Sequence, residues 1–166
     1  MAQKNKNTIA LYARNFIFGV EDSLVSTSGL ISGVAAAGVP RAEIFTTGLI
    51  LIFVEAFSMG VGSFLSEEFA EDYIGHKKIN LQAIIAAIIM LISYFVAGFV
   101  PLSPYLFFEV KQAFTVSILC SLICLFLLGS LGAKFFKMSC LKHGIRMFMI
   151  GGFAILIGIA VGEFTK

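Results

Sequence analysis

The chain has 166 residues, of which 58% are apolar and 13% are charged, with a formal net charge of +2 and a mean hydropathy of +0.96. A soluble domain is about 45–50% apolar and about 25% charged, so this composition excludes a soluble globular protein and indicates an integral membrane protein. The sequence contains no phosphate-binding glycine loop and no motif of the Gly-x-Ser-x-Gly, Cys-x-x-Cys or His-Glu-x-x-His type. We therefore expect no enzymatic activity, no resident cofactor and no nucleic-acid partner.

Five apolar segments are long enough to cross a bilayer, whose hydrocarbon core needs about 20 helical residues. The spans are predicted at about 16–38, 44–65, 81–101, 114–133 and 145–161, and the second helix is predicted to continue to about Tyr73. The linkers between the spans are short. The whole chain, 1–166, is therefore predicted to form one all-α transmembrane domain.

The basic residues are divided unequally between the two ends of these spans. Nine lie at the end that holds the N-terminus, and three lie at the opposite end. The nine are Lys4, Lys6, Arg14, Lys77, Lys78, Lys134, Lys137, Lys142 and Arg146, and the three are Arg41, Lys111 and Lys166. Because basic residues accumulate on the cytoplasmic side, the pattern predicts a cytoplasmic N-terminus and an external C-terminus.

Small residues indicate which spans pack most closely, since they let helix backbones approach one another in lipid. Span 1 contains Gly29 and Gly33, and span 5 contains Gly158 and Gly162. Spans 1, 2 and 5 are therefore predicted to form the inner packing, whereas the bulkier spans 3 and 4 are predicted to face lipid. Five helices are few to enclose a pathway, so a homodimer in the bilayer is the expected functional unit.

Span 1 carries two adjacent acids, Glu21 and Asp22, inside its apolar part. A charge in a membrane helix costs roughly 2.5–3.5 kcal/mol on insertion scales, and a bound cation would offset that cost. Asp22 lies seven residues after Asn15, or about 10 Å into the membrane at about 1.5 Å per residue. Glu21 points about 100° away from Asp22 on a helix, so a role at the pathway or at a dimer seam is left open for it.

Span 2 carries Glu55 and Met59 four residues apart, so both lie on one helix face. If Asp22 comes from an antiparallel neighbour, two carboxylates and a thioether meet. Oxygen ligands suit hard and borderline cations, and sulfur favours softer transition metals over Mg²⁺ or Ca²⁺. The mixture points to Fe²⁺ or Mn²⁺, with weaker support for Co²⁺ or Zn²⁺. As alternatives, Glu55 could be a protonated acid bonded to a neighbouring helix, and Met59 could be a packing residue.

Four acids follow span 2 within six residues on the predicted cytoplasmic side, and they are Glu67, Glu68, Glu71 and Asp72. Like charges four residues apart repel one another on a helix, so a bound cation would relieve them and the run could attract cations to an entrance. The alternative is a solvated helix end that pairs with Lys77 and Lys78. His76 is interpreted as a surface residue and His143 as a loop residue, since neither has a metal-binding partner at helical spacing.

Several motifs resemble those of the vacuolar iron transporter family. Residues Arg14–Thr27 resemble its first-helix signature, an apolar-Gly-x-x-Asp-Gly-Leu run followed by small residues, although Ser23 replaces the usual Gly. Residues Glu55–Leu65 resemble its Ser-Met-x-x-Gly-x-aromatic-Leu stretch before an acidic helix end. Pro101–Tyr105 resembles its Pro-x-x-Pro-Tyr, and Gly151–Ala154 resembles part of its last span. The resemblance covers essentially the whole chain in order.

This resemblance implies a five-helix dimer that moves Fe²⁺, and often Mn²⁺, out of the cytosol in exchange for protons. It implies metal-path roles for Asp22 and Met59 and does not by itself extend to Glu55. Larger members carry a Glu-rich metal-binding domain between spans 2 and 3, where this chain has only about seven residues, 74–80. The cytoplasmic metal buffer is then absent or reduced to the four acids after span 2, and a prokaryotic plasma-membrane exporter fits better than an organelle-loading protein.

Two other functions remain open from the sequence. The chain could be a passive channel for divalent cations, or it could be a scaffold or partner subunit whose carboxylates are neutral hydrogen-bonding groups between helices. There is no room for an ATPase domain within these residues. If the protein transports, an ion gradient or the membrane potential must therefore supply the driving force.

Overall fold

The structure is a computed structural model that describes residues 2–75 and 81–166, and it is helical throughout most of those ranges. The elements in chain order are α1 (Ala2–Ala36), α2 (Arg41–Ile74), α3 (Leu81–Leu102), α4 (Pro104–Phe107), α5 (Val110–Phe135) and α6 (Cys140–Phe164). Helices α2, α3, α5 and α6 are long and apolar enough to cross a membrane. The chain is therefore a polytopic all-α membrane protein.

Helix α1 lies at the centre of the bundle, where it packs against α2, α3, α5 and α6. Its 35 residues are more than a bilayer requires. Unlike the four apolar helices, it places Glu21 and Asp22 among small polar residues, which lower its hydropathy. The most polar of the long helices is thus the one that the other four surround.

Helix α3 packs against both α1 and α2, so the prediction that span 3 faces lipid is wrong. Of the four apolar helices, it has the largest buried fraction. Its buried face contains Ala83, Ala86, Ala97 and Gly98, and a methyl group added to Gly98 would collide with Ile52 of α2. Bulky Ile and Phe residues occupy its other face, so the average bulk of the span conceals this small-residue face.

Helices α1 and α6 cross at glycines, as the sequence predicts for spans 1 and 5. A methyl group added to Gly158 would collide with the backbone of Gly29, and one added to Gly162 would collide with the backbone of Gly33. We call this contact the glycine seam. Because the obstructing atoms belong to the backbone, no side-chain rotation can make room for a larger residue.

The connections between helices are shorter than the apolar pattern predicts. Helix α6 begins at Cys140, so His143 lies in its first turn and the prediction of a loop residue is wrong; its Nδ1 atom lies 2.9 Å from the backbone oxygen of Ser139. The helix starts before its apolar run because its first turn packs against α5, where a methyl group added to Gly129 would collide with the backbone oxygen of His143. The predicted surface position of His76, and the pairing of Lys77 and Lys78 with the acidic helix end, fall on residues outside the described ranges.

Candidate metal site

Among the described residues, polar side chains of α1 contact polar side chains of α2 in an order in which the residue number rises along α1 as it falls along α2. Three such pairs are Arg14 with Glu67, Asn15 with Ser63, and Asp22 with Glu55. This order is the signature of antiparallel neighbours, and it sets the register between the two helices. We call this line of contacts the polar seam.

The outermost pair and the middle pair differ in burial. Arg14 forms an ion pair with Glu67, and the Arg14 side chain is 66% exposed. One residue along α1, Asn15 is buried, and its side-chain oxygen accepts a hydrogen bond of 2.6 Å from the hydroxyl of Ser63. The Asn15 amide also donates to the backbone oxygen of Leu11 over 2.9 Å. The polar seam therefore begins at an exposed ion pair and continues inwards as buried hydrogen bonds.

The innermost pair brings together the two membrane-embedded acids that the sequence singles out on spans 1 and 2. The carboxylates of Asp22 and Glu55 lie close enough to interact electrostatically, and both residues are half-buried. Met59 lies one turn from Glu55 and one turn from Ser63, so it shares the face of α2 that carries the polar seam. Two carboxylates and a thioether thus follow one another along a single helix interface.

Tyr94 of α3 is a member of this site that the sequence analysis missed. It is fully buried, and its hydroxyl lies 2.7 Å from the hydroxyl of Ser26, one turn beyond Asp22 on α1. It also interacts electrostatically with both Asp22 and Glu55. A buried tyrosine hydroxyl needs a polar partner, so a single tyrosine in the apolar span 3 was the signal that could have revealed it.

Ser23 of α1 also contacts Tyr94, at its backbone. The Ser23 hydroxyl donates a hydrogen bond of 2.6 Å to the backbone oxygen of Tyr94, and Ser23 is itself buried. This is the position at which the family signature usually has glycine. The departure from the signature therefore adds a bond between α1 and α3, next to the candidate site.

The acids at the end of α2 lie farther along the helix than the seam. Glu67 is engaged by Arg14, while Glu68, Glu71 and Asp72 lie in the following turns. The helix ends at Ile74, and the N–H of the following Gly75 bonds to the backbone oxygens of Glu71 and Asp72. Within residues 2–75 and 81–166, no three His, Cys, Asp or Glu side chains converge to hold a metal. The acidic run supplies no three-ligand cage in this part of the chain, and its role as an entrance stays a prediction.

Glu21 faces a different part of the molecule from Asp22, as the helical angle predicts. It lines a cavity of about 350 Å³ between α1, α5 and α6, whose wall also includes His143 and Arg146. Arg146 lies in the second turn of α6 and shares this cavity with the acid. The two adjacent acids of α1 therefore belong to separate surroundings, and only Asp22 lies on the polar seam.

The chemistry of the seam suits a divalent transition metal. Two carboxylates provide charge and hard oxygen ligands, the thioether adds a softer donor, and the Ser26 and Tyr94 hydroxyls add neutral oxygens. Asp22 and Glu55 are only half-buried. An acid left facing lipid is costly, so this side of the bundle requires a cover, either water or protein.

Comparison with known proteins gives matches over most of the chain. A family model described as the VIT family matches residues 13–83 and 74–163. The two matched segments overlap at residues 74–83, which include the connection between α2 and α3. The overlap contains the short linker, 74–80, between the second and third predicted spans.

A curated relative is similar over nearly the same range. It is Vacuolar iron transporter 1 from Tulipa gesneriana, with 24% identity over 211 aligned residues that cover 90% of this chain and 85% of the relative. The aligned length exceeds the 166 residues of this chain, so the relative has residues in the alignment that this chain lacks.

Proposed function

This chain belongs to the VIT family, and we propose that it is a transporter that exports Fe²⁺, with Mn²⁺ as a second substrate, from the cytosol in exchange for protons. The observation that carries the proposal is the pairing of Asp22 with Glu55 at the inner end of the polar seam. Two acids so placed in a membrane bundle repel one another, and a divalent cation between them removes that repulsion.

The donor types support the choice of metal. Carboxylate oxygens alone would suit Mg²⁺ and Ca²⁺ as well as Fe²⁺ and Mn²⁺, but the Met59 thioether on the same face disfavours the alkaline-earth ions. Sulfur donors are fewer than oxygen donors here, so a thiophilic ion such as Cu⁺ gains less from this site. Fe²⁺ and Mn²⁺ fit this mixture of ligands best.

Exchange with protons follows from the chemistry of a carboxylate ligand. A carboxylate must be deprotonated to bind a metal, so proton and metal compete for Asp22 and Glu55. Metal binding on one side of the membrane and protonation on the other would then carry the two ions in opposite directions. The proton gradient supplies the driving force in this scheme.

Membrane arrangement is part of the same proposal. We propose that α1 is a fifth span, since it lies between four helices that can each cross a membrane. The excess of basic residues at its N-terminal end supports a cytoplasmic N-terminus and an external C-terminus. A second copy of the chain would cover the half-exposed Asp22 and Glu55, which supports a homodimer.

The cytoplasmic end of α2 would then act as the metal entrance. Glu67, Glu68, Glu71 and Asp72 would attract cations from the cytosol towards the exposed end of the polar seam. With only a short linker after α2, these acids would replace a larger metal-binding domain. The same short linker supports location in a prokaryotic plasma membrane, whereas the tulip relative is named as a vacuolar protein.

Transport in proteoliposomes tests the proposal directly. Wild-type protein should move Fe²⁺ and Mn²⁺ across the bilayer at a rate that depends on an imposed pH gradient, and Asp22→Asn should reduce that rate at least about tenfold, the equivalent of about 1.4 kcal/mol. Glu21→Gln is the matched control, because it neutralises the neighbouring acid on the face away from the polar seam. It should keep most of the transport.

Other outcomes would identify the competing functions. Unchanged transport in Asp22→Asn would contradict the assigned site, and metal flux without movement of protons would indicate a passive channel. If the wild-type protein neither binds nor moves either metal, and Asp22→Asn and Met59→Ala change nothing, a membrane scaffold is the better description.

A further inference from the structure

The connection between α5 and α6 carries positive charge that the candidate metal site does not use. Because both helices are long and apolar enough to cross a membrane, their connection lies at a membrane surface. Four exposed basic residues flank it, and we call them the basic cluster: Lys134, Lys137, Lys142 and Arg146.

The basic cluster has no acid beside it in α5 or α6. The sequence contains no Asp or Glu between Glu109 and Glu163. Within residues 2–75 and 81–166, no side chain of the cluster forms an ion pair, whereas Arg14 of the polar seam is paired with Glu67. The positive charge of the cluster is therefore available to a ligand.

Lys137 has a backbone conformation that lysine rarely adopts. Its φ is 56°, in the left-handed region, and it lies just after the C-terminal end of α5. Glycine is the usual residue at this position after a helix, and a residue with a side chain is strained there. Retaining a strained lysine where glycine would fit indicates that the side chain has a role beyond the turn itself.

The cavity of about 350 Å³ between α1, α5 and α6 adjoins this cluster. Arg146 lies in its wall, and most of the remaining wall is apolar, with Ile17, Leu128 and Ile150 among its residues. Small-molecule pockets have volumes of about 300–1,000 Å³, so this cavity can take part of a lipid but not all of it. A cationic rim beside an apolar cavity fits an amphiphile with an anionic head.

Glu21 also lines this cavity, and its position limits where an anion can bind. Ile17, one turn before Glu21, is level with Gly132 of α5, where an added methyl group would lie 3.2 Å from the Ile17 side chain. Glu21 is therefore about one turn farther from the connection between α5 and α6. A phosphate at the basic cluster stays on the near side of this acid, and only the uncharged part of the ligand extends past it.

We propose that this surface binds one anionic phospholipid, whose phosphate contacts the basic cluster and whose glycerol and upper acyl chain occupy the cavity. Basic pockets between membrane helices bind anionic headgroups in this way, and an arginine can hold two phosphate oxygens at once. The bound lipid contacts α1, α5 and α6 together. The site is separate from the polar seam, so the inference does not depend on the proposed function.

Lipid binding to the full chain in a neutral detergent tests the proposal. Native mass spectrometry would count the lipids retained during titration with phosphatidylglycerol or with phosphatidylcholine of identical acyl chains. One phosphatidylglycerol should bind at least about tenfold more tightly than phosphatidylcholine, because only its headgroup carries a net negative charge. The preference should decrease near 1 M salt, where the Debye length is about 3 Å.

A pair of double variants locates the site. Lys137→Gln combined with Arg146→Gln should weaken phosphatidylglycerol binding at least about fivefold and leave phosphatidylcholine binding unchanged. Lys111→Gln combined with Lys166→Gln is the matched control, because it removes two positive charges from the opposite end of the bundle. Its affinity for phosphatidylglycerol should stay within about twofold of the wild type.

Lys137→Gly separates a role in lipid binding from a role in the turn. Glycine relieves the left-handed backbone, so the unfolding midpoint without lipid should be equal to that of the wild type or higher. The affinity for phosphatidylglycerol should nevertheless fall at least about twofold, because a charge is lost. A lower midpoint with unchanged lipid binding would show that Lys137 serves the turn and would contradict its place in the site.

Three other results would overturn the lipid site. They are equal affinity for the two lipids, unchanged phosphatidylglycerol binding when Lys137 and Arg146 are both replaced, and displacement of the lipid by an equal concentration of inorganic phosphate, which would indicate a site for a free anion. Should the double variant fail to fold, Arg146→Gln alone decides the question. Because the measurement is lipid binding, a failure of the transporter assignment would leave its result unaffected.

Discussion

Helix α1 is held by two contacts of opposite chemistry, the polar seam towards α2 with its extension to Tyr94 of α3, and the glycine seam towards α6. The polar seam consists of charged groups and hydroxyls that can exchange one partner for another. The glycine seam consists of backbone atoms in close contact, which cannot rearrange without separating the helices. From this comparison we expect α1 and α6 to move as one unit, because the glycine seam leaves no room for one helix to shift against the other.

Breaking the glycine seam should have the largest effect on stability. Gly162→Ala places a methyl group against the backbone of Gly33, and because neither backbone can turn aside, the helices must separate. We expect a loss of about 1–3 kcal/mol in the free energy of unfolding, the usual cost of overpacking. Thermal unfolding in detergent would measure it as a lower midpoint.

Gly62→Ala is the control for this prediction. Gly62 lies in α2, and a methyl group there would meet no atom within 4 Å. Because Ala favours a helix over Gly by about 1 kcal/mol, this variant should be as stable as the wild type or more stable. Equal unfolding midpoints for Gly162→Ala and the wild type would show that α6 can shift, and the idea of a rigid unit would fail.

A smaller effect is expected from the middle of the polar seam. Ser63→Ala removes the hydroxyl that donates to the buried side-chain oxygen of Asn15. We expect a loss of about 1 kcal/mol, since a buried acceptor is left without its donor. Transport should slow less than in Asp22→Asn, because Asn15 and Ser63 lie only on the approach to the acid pair, whereas Asp22 belongs to the pair itself.

Thr46→Ala is the matched control on the same helix. The Thr46 hydroxyl is exposed and bonds to the backbone oxygen of Ala42 in its own turn, so its removal touches no contact between helices. Its stability should change by less than about 0.5 kcal/mol. If Thr46→Ala and Ser63→Ala lose the same amount, the bond between Ser63 and Asn15 adds nothing to the seam.

The two seams also differ in how far the sequence could predict them. The glycine seam is visible as two pairs of glycines four residues apart, because close approach of helices leaves no alternative to small residues. The acids of the polar seam are visible because charge inside an apolar span is costly. The sequence therefore predicts that Asp22 and Glu55 meet if spans 1 and 2 are antiparallel neighbours.

Contacts that cross between helices on ordinary residues could not be predicted in this way. Ser63 with Asn15 and Ser26 with Tyr94 use residue types that occur throughout membrane helices, and only the register and rotation of the helices bring them together. The buried position of α3 was missed for a related reason, since its small residues share a span with bulky ones and only the packing reveals which face is turned inwards.

The smallest effect on stability should come from the outermost pair of the polar seam. A variant of this pair also tests whether the acidic end of α2 attracts the metal. Arg14→Gln removes an ion pair whose arginine is 66% exposed, and such pairs contribute about 0–1 kcal/mol. The unfolding midpoint should hardly move. Transport should respond differently, because Glu67 loses its positive partner and becomes available to attract a cation. We expect a KM for Mn²⁺ about two- to threefold lower at low salt, and no difference near 1 M salt, where the Debye length is about 3 Å.

Lys111→Gln separates this local effect from a change in net charge. It removes one positive charge from the opposite end of the bundle, so it should leave the KM unchanged at both salt concentrations. If Arg14→Gln also leaves the KM unchanged at low salt, Glu67 serves only its ion pair, and the path for the metal begins at Asn15 and Ser63. A lower KM that depends on salt would instead extend the path to the end of α2. Every pair of the polar seam would then give up a contact within the protein to bind the passing ion. The glycine seam would have no such role, because it only holds α1 and α6 together.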